Sequence, residues 1–196
     1  IPPISLNFYR WFLAWLVLLP FTYKELLIKK KIILDNIFLF SILGILAVSV
    51  FNSALFYSLR HTQVITGVLM ISTVPVMIIL FSSLLKIEKT NFFQITGVFL
   101  SLTGVLFIIT KASLNNLLNL SFNKGDIFAL IAMFAWSLYS TLLKKKEFNI
   151  SPISLLQVVI TFGVIFLIPM YFIDYSLGNT IKSVSYTHLT LPTKDS

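Results

Sequence analysis

The 196-residue chain has no cysteine, two histidines and seven acidic residues, and charged side chains make up only 11% of it. Without cysteine there is no disulfide scaffold, thiolate metal site or thiol nucleophile. Two histidines are too few to build the catalytic zinc centres that depend on imidazole. No cofactor or metal is therefore expected. No glycine-rich loop ending in Lys and Ser or Thr is present, so nothing points to ATP as an energy source. A soluble domain is typically about 25% charged, and a chain with so few charges cannot solvate a globule's surface. What the sequence has in excess is apolar: 57% hydrophobic residues, 19 Phe and a mean hydropathy of +0.93. The net charge of +8 does not mark a nucleic-acid binder. Its basic residues punctuate long apolar runs instead of clustering on one solvated face.

A membrane-crossing helix needs about 20 mostly apolar residues. Five uncharged runs qualify: Asn36 to Leu59, Thr62 to Leu85, Thr90 to Thr110, Ile127 to Leu143 and Phe148 to Ile173. A sixth, Ile4 to Phe21, precedes them and is broken only by Arg10. Backbone groups in lipid must satisfy one another, so runs this long and continuous predict helices. The expected fold is an all-α polytopic membrane protein, a helical bundle with six spans visible. Lysines divide the loops into two sets. Alternate loops carry Lys24, Lys29, Lys30, Lys31, Lys86, Lys89, Lys144, Lys145 and Lys146, and the opposite loops carry Arg60, Lys111, Lys124 and Lys182. The richer set is predicted to be cytoplasmic, which sends the first visible span from outside to inside.

Ile1-Pro-Pro-Ile-Ser-Leu6 reads almost as Ile150-Ser-Pro-Ile-Ser-Leu155, an offset of 149 that also pairs Leu18 with Leu167 and Pro20 with Pro169. The repeated helices are the first and sixth visible spans. Five spans apart, they cross in opposite directions, which makes an inverted-topology repeat. Such repeats recur in secondary transporters that rock around a midplane site. In the second copy the helix Ile127 to Leu143 precedes the template, so a further helix is expected ahead of Ile1. Residues 184–193, Val-Ser-Tyr-Thr-His-Leu-Thr-Leu-Pro-Thr, match one translated frame of a transposase-type sequencing adapter. Residues 183–196 are accordingly expected to be a non-native tail.

Several stretches in order carry a resemblance. Pro3-Ile-Ser-Leu-Asn-Phe-Tyr-Arg-Trp-Phe-Leu-Ala14, Asn52-Ser-Ala-Leu-Phe-Tyr-Ser-Leu-Arg60, Thr73-Val-Pro75 and Gly97 with Thr103-Gly-Val-Leu106 form the first group. Gly125-Asp-Ile-Phe-Ala-Leu130 and Ala135-Trp-Ser-Leu-Tyr139 form the second. Together the chain resembles the EamA-type transporters of the drug/metabolite transporter superfamily. The resemblance implies ten helices in two inverted five-helix repeats, of which this chain would hold helices two to seven. Residues 1–111 would be the first repeat without its first helix, 112–125 an extracytoplasmic loop, and 126–182 the start of the second repeat. It also implies export of a small organic solute across a bacterial cytoplasmic membrane.

Candidate path residues follow from polarity at membrane depth. Arg10 is the charge inside an apolar run, and it either snorkels to the interface or faces a wet interior. Asn52 and Ser53 lie late in the second span, and Thr66, Ser72, Thr73 and Pro75 lie along the third. A mid-span proline frees a carbonyl, and irregular backbone at that depth is tolerated where it lines a cavity; a simple kink is the alternative. Trp136, Tyr139 and Ser140 share a helical face by their i, i+3, i+4 spacing, suited either to packing or to holding a solute. Gly97, Ser101 and Gly104 form a small-residue stripe expected to bring helices close. His61 is expected to be a solvated loop residue. No Asp or Glu lies inside a span away from its ends, so no proton-relaying carboxylate is in view. The expected function is secondary transport of a small solute within a lipid bilayer. A noncatalytic membrane scaffold and a membrane-embedded transferase are the competing readings, and a transferase lacks the convergent catalytic groups it needs.

Overall fold

The computed structural model describes residues 3–61, 70–88, 91–110 and 124–176. Over these residues the chain forms α1 (Pro3–Ile28), α2 (Lys30–Asp35), α3 (Ile37–His61), α4 (Val74–Leu84), α5 (Phe92–Thr110), α6 (Lys124–Lys144) and α7 (Pro152–Ser176). The described residues contain no strand. Helices α1, α3, α6 and α7 are each long and apolar enough to cross a membrane, and α4 and the Phe92–Gly104 part of α5 are shorter apolar helices. The protein is an all-α polytopic membrane protein. Each predicted span contains a helix, although the third run breaks at a turn through Ser72 and Thr73 before α4 begins.

Local chemistry explains where the helices start and stop. Pro3 and Pro152 each open a helix, where a missing N–H would have had no partner anyway. Asp126 in the first turn of α6 and Lys144 in its last complement the helix dipole. At the end of α4, Lys86 N–H donates to the Ser83 carbonyl at 3.1 Å and Ile87 N–H to that of Ser82 at 2.9 Å. Lys86 itself has a φ of 53°, the left-handed position that glycine usually fills in this helix-ending motif.

The two proline-templated helices are antiparallel neighbours. Tyr9 and Tyr171 share a hydroxyl hydrogen bond of 2.8 Å at one end. Midway, Trp15 Nε1 donates to Thr161 Oγ1 at 3.0 Å. At the other end Glu25 receives the Ser151 amide at 2.7 Å, the Ser154 hydroxyl at 2.6 Å and the Ser151 hydroxyl. Glu25 thereby satisfies donors that the start of α7 would leave orphaned. The offset of 149 pairs Glu25 with Asp174 and Ser154 with Ser5, and the latter position in each repeat is buried.

These contacts also sort the loops. Glu25 meets Ser151, Lys146 Nζ donates to Asn36 Oδ1 at 2.7 Å, and Lys144 lies 3.7 Å from Glu88, so the lysine-rich loops gather at one end of the bundle. At the opposite end the Tyr57 ring packs on Phe128, 4.2 Å between centroids, near Arg60 and the start of α6. Single cysteines test which end is cytoplasmic, because the chain has none of its own. We expect an impermeant maleimide on intact cells to label His61→Cys and Lys124→Cys and to spare Lys30→Cys, Lys86→Cys and Lys145→Cys until the membrane is permeabilised. The reverse pattern would invert the topology.

Helix α3 is the hub. One side of it, Phe40, Leu43, Ala47 and Val48, is buried against Val158, Val159, Ile160, Val164 and Leu167 of α7, with Trp11, Trp15 and Leu18 of α1 packed around them. Its other side places Ala54 with Met70, Val74 of α4 and Ala129, Ala132 and Met133 of α6. Lipid tails are as apolar as leucine, so burial alone does not drive these helices together; close contact and polar bonds must. The tightest crossing is Gly44 of α3 over Gly163 of α7. A Cβ at Gly44 would stand 2.6 Å from the Gly163 nitrogen, and one at Gly163 would stand 2.3 Å from Val48 Cβ. Ser49 Oγ donates to the Gly163 carbonyl at 3.0 Å and fixes the register.

Candidate functional site

Within α3 the backbone widens to a π-helical turn over Ile45–Val50, where the Phe51 N–H reaches back five residues to the Leu46 carbonyl. Such turns disturb the regular ladder and are frequent at functional sites. Two carbonyls of this turn take side-chain amides: Asn52 Nδ2 donates to Ala47 at 2.7 Å, and Asn7 Nδ2 of α1 donates to Val48 at 2.9 Å. Asn7 Nδ2 also donates to Ser53 Oγ at 3.0 Å. With its amide nitrogen committed, Asn52 turns its Oδ1 toward α1 and accepts from Arg10 Nη2. The result is a polar network of two bonded pairs, Arg10 with Asn52 and Asn7 with Ser53, that ties α1 to the irregular turn of α3.

Arg10 lies seven residues into α1, about 10 Å along its axis. A lone Arg at the centre of a span costs roughly 2.5 to 3.5 kcal/mol on insertion scales, which the network and two aromatic faces offset. Its guanidinium carbon stands 5.3 Å from the Trp11 ring centroid and 5.1 Å from that of Phe56. Asn7 is fully buried and Asn52 is 5% exposed, whereas Arg10 is exposed. Asn52 holds the guanidinium by one donor, and among the described residues no other hydrogen bond engages it. Among the described residues it forms no ion pair.

A second group is aromatic. Trp136 of α6 packs on Phe51 of α3, 4.7 Å between centroids, and on Tyr139, 5.3 Å away. Ser140 Oγ donates to the Trp136 carbonyl at 2.9 Å, inside its own helix. Among the described residues no hydrogen bond or ring contact joins this group to the Arg10 network. Ser72 and Thr73 form the turn that precedes α4, and Thr73 Oγ1 donates to the Met70 carbonyl at 2.6 Å. Pro75 stands in the first turn of α4, exposed, so it opens a helix. The irregular backbone lies just before it. Thr66 lies outside the described residues. His61 is exposed at the end of α3, stacked on Tyr57 at 4.6 Å with Nδ1 3.0 Å from the Tyr57 carbonyl. A Cβ at Gly97 or Gly104 would meet nothing within 4 Å and Ser101 is exposed, whereas among the described residues Gly44 and Gly163 make a close helix contact.

Sequence reasoning missed Asn7 and the π-helical turn. Asn7 had a signal: it is an amide inside an apolar run, three residues before Arg10 and so on the same helical face. It also missed the buried Gln157, whose Nε2 donates to the Trp15 carbonyl at 3.2 Å.

Fold and site together define an integral membrane protein whose spans meet around a polar centre on an irregular helix. Residues 1–110 and 123–188 match the model of the EamA-like transporter family. The chain belongs to that family. It is 32% identical over 133 residues to an uncharacterized transporter of Clostridium kluyveri, covering 67% of this chain and 43% of that one. It is 29% identical over 167 residues to one from Archaeoglobus fulgidus, with 85% and 56% covered. The uncharacterized transporter YyaM of Bacillus subtilis is 26% identical over 141 residues, with 72% and 46% covered. The chain thus spans about half the length of these relatives. No solved structure matches it.

Proposed function

We propose that these helices belong to a secondary transporter that exports a small organic solute across a bacterial cytoplasmic membrane by alternating access between two inverted repeats. Residues 1–111 contribute to the first repeat and 126–182 to the start of the second. The observation that carries the reading is the Arg10 network on the π-helical turn of α3: polar groups and irregular backbone at membrane depth mark a solute path. The break at Ser72 and Thr73 and the antiparallel pairing of α1 with α7 support it. This sequence has no nucleotide loop and no carboxylate inside a span away from its ends, so either a coupling group lies in helices outside it or flux is facilitated or exchanged.

A site built from two inverted halves needs more helices than the first half and the opening of the second. In vesicles loaded with a panel of organic acids, amides and amines, a chain extended to its relatives' length should give saturable, solute-selective efflux. The 196-residue chain should insert and give none. Absence of saturable efflux from the extended chain for every solute class would overturn the transport reading.

A further inference from the structure

The geometry points to Arg10 as the group that binds the carboxylate of a monoanionic organic solute with an apolar body. This rests on the solute path proposed above and names its substrate class. A guanidinium has five N–H donors, and Arg10 commits one, to a neutral acceptor, Asn52 Oδ1. Asn52 therefore positions the cation without neutralising it, and Asn52 cannot turn away because its own nitrogen is tied to Ala47. Among the described residues no carboxylate pairs with Arg10, although it stands well inside an apolar run. Among the described residues, a counter-charge is what this position lacks. A single cation calls for a single negative charge, and the planar fork of a guanidinium matches a carboxylate through two parallel hydrogen bonds. The Trp11 and Phe56 rings that the guanidinium stands over put apolar surface beside it for the rest of such a solute. The same charge could come from the phosphodiester of a lipid headgroup, since Arg10 is in the outer part of its helix.

The chain contains two arginines, Arg10 and Arg60, so arginine modification read by peptide mass spectrometry reports on this site with an internal reference. The full 196-residue chain, purified in a phosphate-free maltoside detergent, would be treated with phenylglyoxal. Additions would be 3-phenylpropionate, its neutral amide, or phosphatidylglycerol vesicles. We expect 3-phenylpropionate to slow modification at Arg10 roughly tenfold while Arg60 reacts as before, and the amide to protect neither. In Asn52→Asp the new carboxylate should shield Arg10 without any solute and abolish further protection. If that variant does not fold, the wild-type comparison of acid with amide decides. Equal effects of acid and amide at Arg10, or no effect of either, overturn the carboxylate site. Protection that needs phospholipid and ignores the acid overturns it in favour of a lipid anchor. The two readings fail separately: protection without flux in the extended chain removes transport and keeps the site, and flux of the amide without protection by the acid does the opposite.

Discussion

Gly163→Leu is expected to eliminate most of the folded, monodisperse protein. At this crossing a bare Cβ would already lie 2.3 Å from Val48 Cβ, a separation that real side chains do not adopt. Leucine adds three further carbons to a place with no room for one. Overpacking a buried site costs about 1 to 3 kcal/mol when neighbours can shift, and more when they cannot. Here the neighbour is the root of a side chain on the π-helical turn, so relief requires moving α3 against α7. Gly163→Ala should therefore also be destabilising, and Val48→Ala should not rescue it, because the obstructing atom is Cβ itself. Gly97→Leu is the control: with open space around it, its stability should stay within about 0.5 kcal/mol of wild type. Size-exclusion profiles after graded heating in detergent would measure all four. Equal loss for Gly97→Leu and Gly163→Leu would mean that α3 and α7 do not cross at these glycines.

Asn52→Leu should have the second largest effect. The side chains have similar volumes, so packing is nearly conserved and the change is in polarity. Leucine removes the donor to the Ala47 carbonyl and the acceptor from Arg10 in one step. Leaving a buried polar group without its partner costs about 1 to 3 kcal/mol, and a charged one more, so a loss of about 3 kcal/mol is expected. Ser53→Ala removes one of the two acceptors of Asn7 and leaves the bond to Val48, so it should cost about 1 kcal/mol. Thermal unfolding of the detergent-purified chain would rank the two. In the chain extended to its relatives' length, Asn52→Leu should also lower solute efflux at least tenfold, since Arg10 loses the group that aims it. Unchanged stability in Asn52→Leu would show that the network is not formed.

Much of this architecture was legible in one dimension. Six apolar runs, the alternation of lysine-rich loops and the repeated prolines at Pro3 and Pro152 placed the spans, sorted their ends and marked two helix starts. Arg10, Asn52 and Ser53 stood out because polar groups are costly in lipid, and the structure sets all three in hydrogen bonds between α1 and α3. Pro75 was legible as an interruption, and its place at a helix start was not, because a proline that kinks and a proline that opens a helix look alike in sequence.

Other features left no trace of that kind. Ile45–Val50 reads as ordinary apolar helix, and its widening is fixed by partners elsewhere, Asn7 on α1 and Gly163 on α7. Gly97, Ser101 and Gly104 make a regular stripe, whereas Gly44 and Gly163 belong to no local pattern, yet among the described residues it is Gly44 and Gly163 that meet a neighbouring helix. The division has a physical cause. Whether a segment enters the membrane, and which end stays with the lysines, is decided by that segment's own residues against lipid and water, so the sequence alone determined the spans and their alternation. Which helix faces which is decided by surfaces that match across the chain, where lipid supplies no preference. The π-helical turn, the glycine crossing and the placement of Arg10 were therefore decided only by tertiary structure.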